Sequence, residues 1–464
     1  MAQDLTDGTE SSGEYVPPSG PPDSTAPARD SSRLPFRTQL LYSSGFFGTG
    51  VFYAFNNFIL SLYLGLVLHA PSVVYGLLSS THSIEGSVIQ PLVGAWSDRT
   101  WWKRLGRRRP FIVIFVPISA LFLVMTAFAP QAGGLGKLFG ATPNVFALVL
   151  VSIGIFVFSV TFNIMLDPYT ALLADITPVG QRGHVNGLFQ MVGAAGQVAI
   201  LVFSAFILFP AIGNAGYFVL FLVTAAAMLV FFIPTVLGVR EPRELVDAPV
   251  HHRYRVRDYW RALRGERQVQ LYFATQFFLW FGISAITPFL GNYAVRVIGL
   301  NADGALLLSF ILLGSTALFN WPFGALADRI GVKRVFLVGM ILMAGASIAG
   351  IFIRQVLPLY VVLFIAGIGN AAQTGSSYPM LTRIVRPDRM GLYTGLNSTV
   401  TSIATPASVA IAGMLIDGVG YNALFPFVAA MFLLALIPLA ALNMRAGEAK
   451  IRAELRAEID APAA

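Results

Sequence analysis

The stretch "SSTHSIEGSVIQPLVG", Ser79 to Gly94, puts His82 and Glu85 three residues apart inside a long apolar run. On a helix that spacing brings both side chains to one face. A carboxyl group in a low-dielectric setting favours its neutral form, so it can take up a proton on one side of a barrier and release it on the other. Ionisable groups deep inside a spanning segment are costly and mark ion or proton pathways. Glu85 is therefore expected to carry a proton or another cation with His82 as its partner, unless the two only face a wet cavity or tie helices together. Asp167 is a weaker coupling candidate, because it lies about a dozen residues past the midpoint of its own run, some ~15–18 Å along a helix and close to the boundary.

A second set is polar and uncharged: Tyr53, Asn56 and Asn57 in "YAFNNF", Asn163, Gln276 and Trp280, Asn320 with Trp321, Asn370 with Gln373, Thr374 and Tyr378, and Asn397. Such groups donate and accept hydrogen bonds without charge, and an aromatic ring adds a stacking face, which suits a neutral polyhydroxylated ligand. Each is equally able to act as interhelical glue. No Lys or Arg falls deep in any apolar run, which argues against phosphate esters and dicarboxylates as ligands. The second half has no ionisable residue in its spans at all.

These residues need elements to hold them. The chain has 464 residues, of which 56% are hydrophobic and 12% charged, too apolar for a soluble globular protein. Apolar runs long enough to cross ~30 Å of hydrocarbon recur at 39–67, 73–96, 111–130, 144–169, 186–209, 216–238, 268–295, 304–326, 335–353, 358–381, 393–415 and 422–443. The expected fold class is an all-α polytopic membrane protein. The first 33 residues are rich in Pro, Ser and Gly and read as a disordered tail, without the basic start and short apolar core of a cleaved signal peptide. The absence of cysteine rules out disulfides and thiolate metal sites.

The net charge of +8 follows the loops. Of the 31 Lys and Arg residues, all but Lys137, Arg296 and Arg354 fall in the termini or in alternate loops. Basic loops stay cytoplasmic during insertion, so both termini are expected in the cytoplasm and the number of spans is even.

The stretch "VGAWSDRTWWKRLGRRRPF" from Val93 exceeds a topology signal. It contains Gly94, Asp98 and Arg99, then Gly106 and a basic run through Arg107 and Arg108. "FGALADRIGVKRV" from Phe323 repeats the order with Gly324, Asp328 and Arg329, between the eighth and ninth spans as the first copy lies between the second and third. "YTALLADITPVGQRGHVNG" and "YPMLTRIVRPDRMGLYTG" echo each other in the same way after the fourth and tenth. A six-helix unit is written twice, a recurrent plan in secondary transporters. The expected layout is a tail at 1–34, bundles at 35–239 and 268–443, a basic cytoplasmic linker at 240–267 and a cytoplasmic tail at 444–464. Asp175 could pair with Arg386 or Arg389 of the other half as a gate, or be a solvated loop carboxylate.

The Gly, Asp-Arg and Gly-basic pattern in both copies resembles the signature of the major facilitator superfamily, with the match in topology running from about Pro35 to Met444. That resemblance implies two pseudo-symmetric six-helix bundles. It also implies that Gly94 and Gly324 allow close helix packing while Asp98, Arg99, Arg107, Arg108, Asp328 and Arg329 latch the cytoplasmic face. The longer first copy, with five extra residues between aspartate and glycine, and "LDPYTALLADITP" from Leu166 resemble the sucrose and glycoside-pentoside-hexuronide symporters. Asp167 stands where that group has glycine and Thr170 where the plant members have arginine, so a sucrose site is not carried over intact.

The resulting expectation is a secondary active transporter that moves a neutral sugar or glycoside by alternating access with proton symport, as a monomer in the cell membrane. The alternative is a proton-coupled exporter of a small amphipathic molecule. No zinc-protease, nucleophile-elbow or phosphate-loop motif occurs, so neither an enzyme nor an ATP-driven pump is expected. The expected partners are the bilayer, a sugar-like solute and a proton or cation, with no cofactor, metal or nucleic acid.

Overall fold

The computed structural model describes residues 34–178, 181–241, 266–386 and 390–460, and within these not the side chains of 82, 84–88, 90, 91, 95, 98, 183, 328, 391 and 454–460. The expectations for the N-terminal tail, for most of the linker, for Arg389 and for the side chains of His82, Glu85, Asp98 and Asp328 lie outside the described residues. Ten helical runs among those described are long and apolar enough to cross a membrane. One of them, His184–Gly238, turns at Gly213, whose φ of +55° is a conformation that suits glycine, and so makes two passes. Ser72–Arg99 adds a further helix of 28 residues, or about 42 Å at 1.5 Å per residue.

The twelve passes are α1 (Phe36–Val67), α2 (Ser72–Arg99), α3 (Arg109–Ala127), α4 (Pro143–Ile176), α5 (182–212) and α6 (Gly216–Gly238), then α7 (267–298), α8 (Ala302–Ile330), α9 (Val332–Phe352), α10 (Val356–Thr382), α11 (Met390–Val419) and α12 (Leu424–Ala441). All six expected spans of each half are present. Within 444–464, expected only as a tail, the described residues form a further long helix, α13 (Met444–Asp460).

Packing repeats with a period of six helices. In the first half α1 packs on α5 and α6, α3 on α4 and α6, and α2 on α4; in the second α7 packs on α11 and α12, α9 on α10 and α12, and α8 on α10. The halves meet along α2 with α11 and α5 with α8. With an even number of passes, both termini lie at one end, here called the near end. Several helices widen into π turns in the half away from it: Phe55–Ile59 and Tyr63–Val67 in α1, Phe203–Leu208 in α5 and Ala294–Ile298 in α7. Such turns interrupt the i→i−4 ladder and frequently mark functional sites.

Candidate functional site

A cavity of about 330 Å³ lies where the two bundles face each other, walled mainly by α7 to α12 and reached by α1, α2 and α5 of the first half. Its polar groups come from both sides. Asn57 stands on α1, Ser79, Ser80 and Ser83 on α2, Gln197 on α5, and opposite them Trp280, Ser284 and Thr287 on α7. The α10 segment "NAAQT" adds Asn370, Gln373 and Thr374 at spacings of three and four, hence on one helix face. Leu312, Met343, Val409 and Phe432 give the apolar remainder. No Lys, Arg, Asp, Glu or His is among its described lining residues.

Several of the polar groups are pre-oriented. Asn370 Nδ2 donates to Thr316 Oγ1 at 3.3 Å, Thr374 Oγ1 donates to the Asn370 carbonyl at 2.8 Å, and Ser284 and Thr405 share a hydrogen bond of 3.0 Å. Gln373 is buried, and its Oε1 has no hydrogen-bond partner among the described residues. A buried carbonyl oxygen left without a donor is costly, and a donor from a ligand in the cavity would relieve it.

Of the residues expected to bind substrate, the structure thus brings Asn57, Trp280, Asn370 and Gln373 to one cavity, the first on one side and the other three across from it. The others serve elsewhere. Asn56 is fully buried and donates to the Ser79 carbonyl at 2.7 Å, tying α1 to α2. Asn163 donates back to the Ser159 carbonyl of its own helix at 3.0 Å. Gln276 is fully buried and donates to Tyr272 Oη at 2.8 Å and to Ser377 Oγ, so it ties α7 to α10. Tyr53 packs its ring against Phe52 and Phe162. Asn320 and Tyr378 are exposed towards the near end, Asn320 within reach of Thr374 at 3.4 Å. Asn397 lies on α11 off the cavity wall. Thr374, expected with Asn370 and Gln373, lines the cavity as well, whereas the serines, Thr287 and Thr405 were missed because hydroxyls are common in spanning helices. Their signal was the spacing of Ser79, Ser80 and Ser83 on one face of α2.

Of the coupling candidates, only the side chain of Asp167 is described. It is half-buried on α4 and faces Gly94, where a Cβ would stand 3.2 Å from its Oδ2. The two latch glycines differ, for a Cβ on Gly324 would meet nothing within 4 Å. The neighbour of Gly324 is another glycine, Gly375 of α10, whose own Cβ would stand 3.6 Å from the Gly324 nitrogen, while Trp321 on the same helix is 82% exposed and Tyr378 of α10 is 56% exposed. Arg99 and Arg329 are exposed as well. Asp175 does not reach across the bundles for Arg386. Its carboxylate, 11% exposed, is held within the first half by Arg107 Nη2 at 2.9 Å to both oxygens and Arg108 Nε at 3.2 Å. Arg108 Nη1 also donates to Ser97 Oγ on α2. The basic cluster therefore clamps α2, α3 and α4 to one another.

The far end is sealed across the bundles. The backbone N–H groups of Ser72 and Val73, at the start of α2, donate to Asp417 Oδ1 and Oδ2 at 2.8 and 3.1 Å. Tyr75 and Tyr421 share a hydrogen bond of 2.5 Å, Asn292 Nδ2 donates to the Ser61 carbonyl at 2.9 Å, and Arg296 Nη2 donates to the Gly65 carbonyl at 2.7 Å. Gly413 of α11 meets α2 so closely that a Cβ there would stand 2.7 Å from Val73 Cα. Sequence reasoning missed this seal. It took the second half to have no ionisable residue in its helices, whereas α11 extends through Asp417.

With this geometry in hand, known proteins can be compared. Residues 41–442 match the family described as MFS/sugar transport protein. A sucrose transport protein of Arabidopsis thaliana is 35% identical over 129 residues, 26% of this chain and 21% of the plant protein. Proton-associated sugar transporter A of Mus musculus is 30% identical over 198 residues, 41% of this chain and 26% of its own length. The chain thus matches about a quarter or less of those relatives. Multidrug resistance protein 2 of Bacillus subtilis is 23% identical over 408 residues, 82% of this chain and 90% of that protein. Among solved structures, a D-xylose-proton symporter superposes with a TM-score of 0.69 at 16% identity, covering 89% of this chain and 99% of the symporter.

Proposed function

Because the chain belongs to the MFS/sugar transport protein family and has the major facilitator fold of an integral membrane transporter, we propose that it moves a neutral sugar or glycoside across the membrane by alternating access, in symport with a proton. The observation that carries this reading is the cavity between the bundles. Its described polar lining is made of amides, hydroxyls and one indole, with no fixed charge to demand an ionic ligand. Asn57 and Gln197 would hold the solute from the first half, and Trp280, Asn370 and Gln373 from the second.

Glu85 is the proposed proton carrier and His82 its partner, on the same helix as Ser79, Ser80 and Ser83. Asp167 is a second carboxyl on the route to the near end. With bundles at 35–239 and 268–443 joined by the basic linker, and with basic loops cytoplasmic, the near end is the cytoplasmic one and the cell membrane the site of action. The hydrogen-bonded far end is then the side that an inward-facing state keeps shut. A second reading, a proton-coupled exporter of a small amphipathic solute, draws support from the length over which the Bacillus subtilis multidrug protein matches.

Uptake of labelled sucrose and maltose into proteoliposomes, with and without an inward proton gradient, tests the proposal. Gradient-driven uptake that is lost in Glu85→Gln is the expected result. Uptake that keeps its gradient dependence in Glu85→Gln would remove the carrier assignment, and no movement of either sugar would favour the exporter.

A further inference from the structure

The two halves differ at the loop before their third helix. In the first bundle the N-terminus of α3 is filled from within the chain. Glu241, just past α6, accepts from the backbone N–H groups of Arg107, Arg108 and Arg109 at 2.7–3.1 Å and lies 3.9 Å from Arg109 Nε. In the second bundle the equivalent helix start, Gly331 to Arg334, faces the segment just past α12 across an open pocket of about 730 Å³. Among the described residues, no side chain caps the N-terminus of α9.

The pocket is strongly basic. Arg329, Lys333, Arg334, Arg383 and Arg445 line it against a single carboxylate among the described residues, Glu448, which already lies 4.0 Å from Arg383 and 3.9 Å from Arg452. Lys333 Nζ donates to the carbonyls of Ala440 and Leu442 and is fixed in place. The start of α13 forms the outer wall, anchored where the Asn443 N–H donates to Gln268 Oε1 at 2.7 Å. Five cations against that one carboxylate leave an excess of positive charge, which a further anion in the cavity would relieve. Arginine forks match phosphate oxygens, and free N–H groups at a helix start add to the attraction.

We propose that this pocket binds a phosphate group, that of an anionic phospholipid headgroup, in the place that the Glu241 carboxylate fills in the first half. The pocket lies at the ends of α8, α9, α10 and α12, where hydrocarbon gives way to water, and basic pockets at that depth recruit anionic lipid. Free phosphate offers the same chemistry, so the test separates the two sources.

The test is thermal unfolding of the full-length, delipidated protein titrated with phosphatidylglycerol, phosphatidylcholine or inorganic phosphate. The variant is Arg334→Gln with Arg445→Gln, two exposed side chains remote from the central cavity, and the control is Lys103→Gln with Arg104→Gln in the first bundle. Phosphatidylglycerol, and not phosphatidylcholine, is expected to raise the midpoint of wild type and control, with apparent affinity about tenfold weaker in the variant. Native mass spectrometry of wild type and of Arg445→Gln alone gives the same comparison should the double variant not fold. Full stabilisation by inorganic phosphate, with no further gain from lipid, would support the phosphate site and make its source soluble. Equal effects of the two lipids, or an undiminished response in the variants, would overturn the proposal.

Discussion

At the near end of the first bundle the polar side chains are ions fastened to one another: Arg107 and Arg108 to Asp175, and Arg109 to Glu241, all largely buried. Around the central cavity, most of whose wall belongs to the second bundle, they are amides and hydroxyls with valence to spare, as in Asn370, Gln373 and Thr374. A buried ion that loses its partner is heavily penalised, so a paired network holds one geometry. A neutral amide can trade a protein partner for water or a ligand at a small net cost. On the proposed function, the contrast puts rigidity at the first bundle's near face and recognition in the second bundle's interior.

Breaking the ionic side should have the largest effect. Glu241 is 1% exposed, and Glu241→Ala would leave Arg109 and three N–H groups without their carboxylate. A loss of about 3–5 kcal/mol is expected, read as a lower thermal midpoint. Glu448→Ala, which removes only exposed pairs, should cost less than about 1 kcal/mol. Equal losses would dissolve the contrast.

Next in size is Gly413→Val, whose branched side chain would meet the α2 backbone and force the far end apart at about 1–3 kcal/mol. The natural chain has no cysteine, so a single thiol introduced at Ser80 reports which side is open. Labelling from the far side should rise in the variant. Gln373→Leu sharpens the neutral side of the contrast: it should raise KM for the transported solute about tenfold, the equivalent of ~1.4 kcal/mol, and leave the thermal midpoint unchanged or higher. A fall in the midpoint with KM unchanged would make Gln373 structural. The smallest effect belongs to Asp417→Asn, which weakens the cap on α2 by about 0.5–1 kcal/mol and should raise far-side labelling modestly.

Much of this architecture was legible in the sequence. Hydropathy gave all twelve passes, because hydrocarbon thickness dictates helix length, and the repeated Gly and Asp-Arg patterns gave the six-helix repeat. Individual side chains were harder. Asn56 and Asn57 are adjacent and chemically identical, yet one ties two helices together and the other lines the cavity. The π turn that begins at Phe55 interrupts the regular helical register at that point, so a 3.6-residue pattern could not tell them apart. Asp175 was read as either a cross-bundle gate or a solvated group because a sequence does not tell which of several arginines a carboxylate will meet. Glu241 and Asp417 were overlooked because they act at helix ends on backbone groups, contacts that leave no trace in residue type or spacing.

The far seal has a consequence for speed. Its hydrogen bonds end on backbone amides and carbonyls or join two phenols, and where a charged group takes part, as with Asp417 and Arg296, its partner is neutral backbone. Each can be handed to water as the bundles part, at a net cost of about 0.5–1.5 kcal/mol for a neutral pair and somewhat more where a charge is involved. Among the described residues, no buried ion pair bridges the bundles at this seal. Under the proposed alternating access, the far end can therefore part bond by bond, without the single large barrier that breaking a buried ion pair would impose.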